Sequence, residues 1–181
     1  MNTYNPKLTL TQIVQHLRYA RAERQLRPLC RWVDFYDYIW SYGSIDWSGK
    51  TVLDIGAEIG SSAWFFLMNG ATYVYMLESS QAYKTTYENL KQRYPILNSS
   101  AMLGSLQDIP NIDVLKMDCE GCELELLTEG LLASAKEFAV GLHKPQLDTC
   151  RFEQKQRLLE QYGGRYFGSV NNEEFLWIKK I

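Results

Sequence analysis

Residues 52–60 read Val52-Leu53-Asp54-Ile55-Gly56-Ala57-Glu58-Ile59-Gly60, and the reading of the fold starts there. The run from Thr51 to Ile55 is short and apolar enough for a buried strand. Gly56 then lets the backbone turn sharply, and Gly60 would let a ligand approach the start of a helix. The apolar run Ala63 to Met68 begins that helix, with Ser61 or Ser62 available to cap it. The spacing is not that of a dinucleotide turn, which puts two glycines one residue apart directly after the strand. Here a carboxylate precedes the first glycine, and the second stands four residues on. A helix start that receives a pyrophosphate favours anions. Asp54 and Glu58 would oppose one, and would suit a ligand with a cationic amino acid end.

A second apolar run, Tyr73 to Leu77, ends in Glu78, 18 residues beyond Gly60. In doubly wound sheets an acidic residue about 20 residues past the glycine turn takes the ribose hydroxyls. A carboxylate accepts from both hydroxyls at once. A third segment reads Asp113-Val-Leu-Lys-Met-Asp118-Cys119-Glu120-Gly121-Cys122-Glu123. Val114 to Met117 reads as a strand interior with Asp118 at its carboxyl end. Ligands of open α/β sheets sit outside the strand carboxyl ends, so Asp118 and Glu120 are expected to face the crevice of Asp54 and Glu78. Gly121 opens a helix with Leu124, Leu127 and Leu131 on one face.

The pattern Asp54-x-Gly56-x-x-x-Gly60 resembles motif I of the class I S-adenosylmethionine methyltransferases. The segment from Asp113 to Glu123 resembles the D-x-x-K-x-D-x-E-G-x-E signature of the FkbM-type methyltransferases, which mostly methylate hydroxyl groups. The resemblance runs from about Thr51 to His143. It implies S-adenosylmethionine as cofactor, held by Asp54, Gly56, Glu58, Gly60, Glu78, Ser79, Ser105 and Asp118. It also implies O-methylation of a hydroxyl on a small molecule or sugar, with His143, Asp118 and Glu120 as catalytic candidates. Among these, His143 titrates nearest neutrality and is expected to be the base. Asp118 could instead orient the methionine end or the acceptor hydroxyl. Three positions depart from the pattern. Gly141 stands where the family often has the Glu of Glu-x-His, Glu58 replaces a typical Asn, and Ser79 replaces a frequent Pro. The loss at 141 leaves open a non-catalytic cofactor-binding protein of the same fold.

Seven strand candidates follow from the apolar runs: 51–55, 73–78, 99–104, 113–118, 137–142, 166–170 and 175–179. Helical periodicity fills the gaps, with Tyr83, Tyr87, Leu90 and Tyr94 on one face and Phe152, Leu159 and Tyr162 on another. Asn171-Asn172 reads as a hairpin turn. The expectation is an α/β, Rossmann-like sheet of seven strands, mostly parallel, with a terminal antiparallel hairpin and helices on both faces. One domain spans 1–181, with residues 1–45 as a helical cover over the substrate side and 46–181 as the core. Leu10, Ile13, Val14 and Leu17 mark the first cover helix, and Leu29, Trp32, Val33, Tyr36 and Trp40 the second.

Charge and composition narrow the partners. Residues 1–50 carry seven Lys and Arg against four Asp and Glu, a net of +3, and the rest carry 12 against 17, a net of −5. Arg18, Arg21, Arg24, Arg27 and Arg31 step around a helix, which fits a solvated surface better than one anion-binding patch. A net charge of −2 argues against nucleic acid as the main partner. No apolar run approaches the ~20 residues of a membrane span. Met1 to Leu10 lacks a signal-peptide core, so the expected location is cytoplasmic. Oligomeric state is not legible.

Cys119-x-x-Cys122 raises a rival reading. Such a pair at a strand-to-helix junction suits redox chemistry, and with His143 and Cys150 it could bind zinc. A single C-x-x-C is a weak metal signal, and small buried thiols commonly act as hydrophobes. The expectation is two buried, reduced thiols and no metal.

Overall fold

The computed structural model describes residues 10–29, 35–109, 111–145, 148–170 and 173–181. In chain order the elements are α1 (Leu10–Leu26), α2 (Phe35–Tyr42), β1 (Thr51–Ile55), α3 (Ser61–Met68), β2 (Tyr73–Leu77) and α4 (Gln81–Arg93). Then come β3 (Ser100–Met102), β4 (Val114–Met117), α5 (Glu123–Leu126), α6 (Glu129–Ala133), β5 (Glu137–His143), α7 (Thr149–Gln161), β6 (Arg165–Val170) and β7 (Glu174–Lys179). The strands form one sheet in the order β3-β2-β1-β4-β5-β7-β6. Strands β1 to β5 pair in parallel, and β7 runs antiparallel between β5 and β6. This is the Rossmann-like, mostly parallel sheet with a terminal hairpin that the sequence pattern predicts. The Asn171-Asn172 turn lies outside the described residues, as do Cys30, Arg31, Trp32 and Val33 of the expected second helix.

Strand alternation divides the core in two. Val52, Val74, Val114 and Ala139 face α1 to α4, where Tyr19 stacks on Phe35 and on Phe65. Leu53, Leu115, Phe138 and Val140 face α5 to α7. Two local expectations fail. The helix after Gly121 is two short helices, because Thr128 interrupts it and restarts α6 by accepting from the Leu131 N–H at 3.2 Å. Neither serine caps α3. Gly60 takes the cap position in a left-handed conformation, while Ser61 and Ser62 bond Tyr38 and Asp54.

The strand order reverses between β1 and β4, and this opens a crevice at their carboxyl ends. Gly56, at φ 79°, crosses it so closely that a Cβ would lie 1.9 Å from the Asp118 carbonyl oxygen. Gly56→Ala is therefore expected to cost roughly 2–4 kcal/mol, adding left-handed strain to a backbone clash. Denaturant unfolding checks this.

Candidate functional site

Asp54 and Lys116 are register partners on β1 and β4, both on the face covered by α1 to α4. Both are buried, and Lys116 Nζ lies 2.8 Å from Asp54 Oδ1. The same ammonium donates to the Gly56 carbonyl at 2.9 Å, and the Ser62 hydroxyl donates to Asp54 Oδ2. Burial pulls the Lys116 pKa down, but the charges of Asp54 and Asp118 outweigh it and hold the pKa above the ordinary lysine range. Asp54, expected to touch the cofactor, is instead fully buried with both oxygens engaged. It reaches the crevice only through the turn it holds. Gly60 also differs from expectation. It is buried against Tyr87, whose ring would lie 2.9 Å from an added Cβ, so packing explains the glycine as well as its φ of 85°.

Glu78 ends β2 beside this turn. Its Oε2 accepts from the Glu58 N–H at 2.9 Å, and its Oε1 accepts from the Ser80 N–H at 2.7 Å. The Ser79 hydroxyl adds a long contact of 3.4 Å to Oε1. Glu58 sits at φ 47°, a left-handed conformation that Asn tolerates better than Glu. Ser105 accepts from the Gln107 N–H at 3.2 Å and caps a short 3-10 turn beyond β3.

The turn after β4 carries the other candidates. Asp118 Oδ2 accepts from the Tyr42 hydroxyl of α2 at 3.1 Å. Burial and then the Asp118 charge push the Tyr42 phenol well up, so it stays a donor. His143 Nε2 lies 3.9 Å from Asp118 and 3.6 Å from Glu120, and Nδ1 lies 3.2 Å from Glu123 Oε1. Glu123 is fully buried and also accepts from the N–H groups of Cys119 at 2.6 Å and Gly121 at 2.9 Å. Burial would raise the Glu123 pKa, but His143 and the Cys119 N–H win and lower it. Burial likewise pulls His143 down, yet Glu123, Asp118 and Glu120 hold its pKa up at about 9. An imidazole held protonated in this way donates hydrogen bonds at neutral pH. Glu120 is exposed, at φ 57° on the same turn.

The structure thus brings Asp118, Glu120 and His143 together, with the Glu58–Glu78 turn across Gly56. The motifs had assigned no role to Lys116 or Glu123, although both stand in the quoted segment. A lysine inside a buried strand is itself a signal, since it requires a partner.

Cys119 and Cys122 form a disulfide with Cα atoms 5.4 Å apart, within the usual range. The expectation of reduced thiols is overturned, because the turn at Glu120 folds the two residues together. The bonded sulfurs offer no thiolate for zinc, and Cys150 is exposed. Asp118, Glu123 and His143 carry donor atoms within 4.8 Å of one another. Glu123 already serves two N–H groups and His143, an arrangement that fits an ion-pair network. A cavity of about 250 Å³ lined by Gln15, Tyr19, Phe65 and Asn69 holds none of these groups.

No family model matches the chain. It is 35% identical over 108 residues to "Uncharacterized protein 65" of Sulfolobus islandicus filamentous virus (isolate Iceland/Hveragerdi), across 59% of this chain and 68% of that one. The chain belongs to the family of that viral protein. "Uncharacterized protein 158B" of Sulfolobus islandicus rod-shaped virus 1 is 29% identical over 154 residues, 83% of this chain and 92% of that one. Among solved structures, an O-methyltransferase from Bacillus cereus in complex with SAH aligns with a TM-score of 0.61 and 14% identity, over 97% of this chain and 91% of that one. Methyltransferase FkbM from Methylobacillus flagellatus KT aligns with a TM-score of 0.56 and 18% identity, over 72% of this chain and 44% of that one. The chain has the fold of the class I S-adenosylmethionine-dependent methyltransferases. At these identities the likeness carries the fold, not the FkbM-type family or the acceptor. No helix among the described residues is long and apolar enough to cross a membrane.

The ion-pair network gives stability a pH dependence. The raised His143 contributes fully below its ordinary value of 6.5, and that contribution is lost as pH rises through about 9. Glu174, raised by burial and by Asp118 to about 7, acts with the same sign between 4.5 and 7. Glu123, lowered, acts oppositely and only in acid. Between pH 6.5 and 9.5 the protein should lose on the order of 1–3 kcal/mol, discounted for partial exposure. Urea unfolding should show His143→Gln with a much flatter profile over this interval. An unchanged slope contradicts the assignment.

Proposed function

We propose that this chain is an S-adenosylmethionine-dependent methyltransferase of the FkbM type that methylates a hydroxyl on a small molecule or sugar. The observation that carries the reading is Glu78. Each of its carboxylate oxygens accepts one backbone N–H, from Glu58 and from Ser80. A carboxylate has about four acceptor sites, so Oε2 keeps one for an O–H donor, and on Oε1 a ribose hydroxyl has only the long 3.4 Å contact of Ser79 to displace. A ribose diol is such a pair of donors. The turn that Glu78 braces is acidic, which suits a ligand with an ammonium and a sulfonium and opposes a pyrophosphate.

The acceptor end supports an uncharged partner. Asp118, Glu120, Glu123 and Glu174 surround a single imidazolium, so a phosphate or carboxylate on the acceptor would meet net repulsion. From α2, Tyr42 bonds Asp118 and Tyr38 bonds Ser61 at 2.8 Å, which supports a covering role for this helix at the crevice. The cofactor supplies an electrophilic methyl group. The protein's part is to align the acceptor oxygen with it and exclude water, a positioning effect worth up to ~7–11 kcal/mol.

Isothermal titration calorimetry tests the reading. S-adenosylmethionine and S-adenosylhomocysteine should bind, and Glu78→Ala should weaken both by on the order of 1–3 kcal/mol, since the hydroxyls lose a charged acceptor. Binding of NAD with neither of these ligands would redirect the protein to another chemistry. Unchanged affinity in Glu78→Ala would remove the ribose assignment.

A further inference from the structure

The hairpin brings to the crevice a carboxylate to which no motif pointed. Strands β5 and β7 pair so that His143 stands opposite Glu174 and Gly141 opposite Leu176. His143, Gly141 and Glu174 therefore share one face of the sheet, the face of the Asp54–Lys116 pair. The Glu174 side chain lies back over β5, and a Cβ on Gly141 would come within 2.5 Å of its Oε1. A side chain at position 141 would claim the space this carboxylate fills. Glu174 is half-buried. The charged and titratable groups that act on it come from four places in the fold. They are Asp118 and Glu120 on the turn after β4, Glu123 at the start of α5, His143 on β5, and Tyr42 on α2, whose phenol feels the Glu174 charge.

The geometry points to Glu174 as the catalytic proton acceptor for a neutral hydroxyl whose oxygen sits among Glu174, Asp118 and the His143 imidazolium. This rests on the methyltransferase reading. In the step, a lone pair of the acceptor oxygen forms the new C–O bond to the methyl carbon. The S–CH3 bond breaks, and its electron pair stays on sulfur, leaving the neutral thioether of S-adenosylhomocysteine. The O–H bond pair stays on oxygen, and the proton passes to the Glu174 carboxylate. One positive and one negative charge are thereby cancelled. His143, held protonated up to about 9 by the carboxylates around it, is the poorer acceptor of this proton at neutral pH. Burial, then Asp118, raise the Glu174 carboxyl to about 7 against the opposing pull of His143. A base of that strength is matched to neutral pH.

The experiment uses the full chain, in wild-type, Glu174→Gln and Glu174→Asp forms. Calorimetry with S-adenosylmethionine is run first, as a check on folding and on the cofactor. Radiolabelled methyl transfer is then measured against a phenol, a polyol and a methyl glycoside from pH 5.5 to 9. Glu174→Gln should bind the cofactor as wild type does and lose 10²–10⁴-fold in kcat. It should also lose the rate limb near pH 7, and Glu174→Asp should recover part of both. Wild-type transfer by Glu174→Gln, or an unaltered pH profile, overturns the assignment. Cofactor binding without transfer to any of the three acceptors by wild type also overturns it, leaving the cofactor reading in place. Failure of wild type to bind the cofactor instead overturns the methyltransferase reading.

Discussion

The buried ion pair between Asp54 and Lys116 is the contact on which the site depends. It joins β1 to β4 at the point where the strand order reverses, and its ammonium also fixes the carbonyl of Gly56. A pair this deep gains little net stability over apolar residues, but removing one partner strands a charge and costs about 3–5 kcal/mol. Its value here is positional. The crevice of an open α/β sheet is made of loops, and loops hold their shape only when something beneath them does. Lys116 serves the first turn directly and the second through the close approach of Gly56 to Asp118.

A second constraint is charge. Asp118, Glu120, Glu123 and Glu174 gather around His143, and more carboxylates are present than one imidazolium can neutralise. The conflict settles in opposite directions at different groups. Glu123, fed by two N–H donors and the imidazolium, keeps its charge. His143 keeps its proton, while Glu174, which lacks such donors among the interactions described, gives up charge most readily. Neighbouring groups whose environments push their pKa values apart are what acid and base chemistry at neutral pH requires.

Much of the sheet was legible because its signals are local. Runs such as Val52 to Ile55 and Val114 to Met117 are buried on both faces and read as short apolar stretches, each broken by a single charged residue, Asp54 or Lys116. The turn at Gly56 was legible for the same reason. What escaped was fixed by register or by contacts far apart in sequence. Asp54 read as a ligand-facing carboxylate because nothing local reveals that Lys116 stands beside it. Tyr42 reaches Asp118 across 76 positions, and Glu174 lies over Gly141 only because β7 inserts between β5 and β6. The departure at Gly141, which read as a lost carboxylate, leaves room for one supplied by another strand. The cysteines were misjudged because Glu120 adopts a left-handed conformation that closes the Cys119–Cys122 loop, and few glutamates do.

The central claim is that this turn and the carboxylate at the end of β2 form a seat for S-adenosylmethionine. A crystal structure of the protein with S-adenosylhomocysteine tests it most directly. The account places the ribose hydroxyls within hydrogen-bond distance of Glu78 and the sulfur on the side of Asp118 and Glu174. A ligand bound elsewhere, or bound here with its ribose turned away from Glu78, would contradict it.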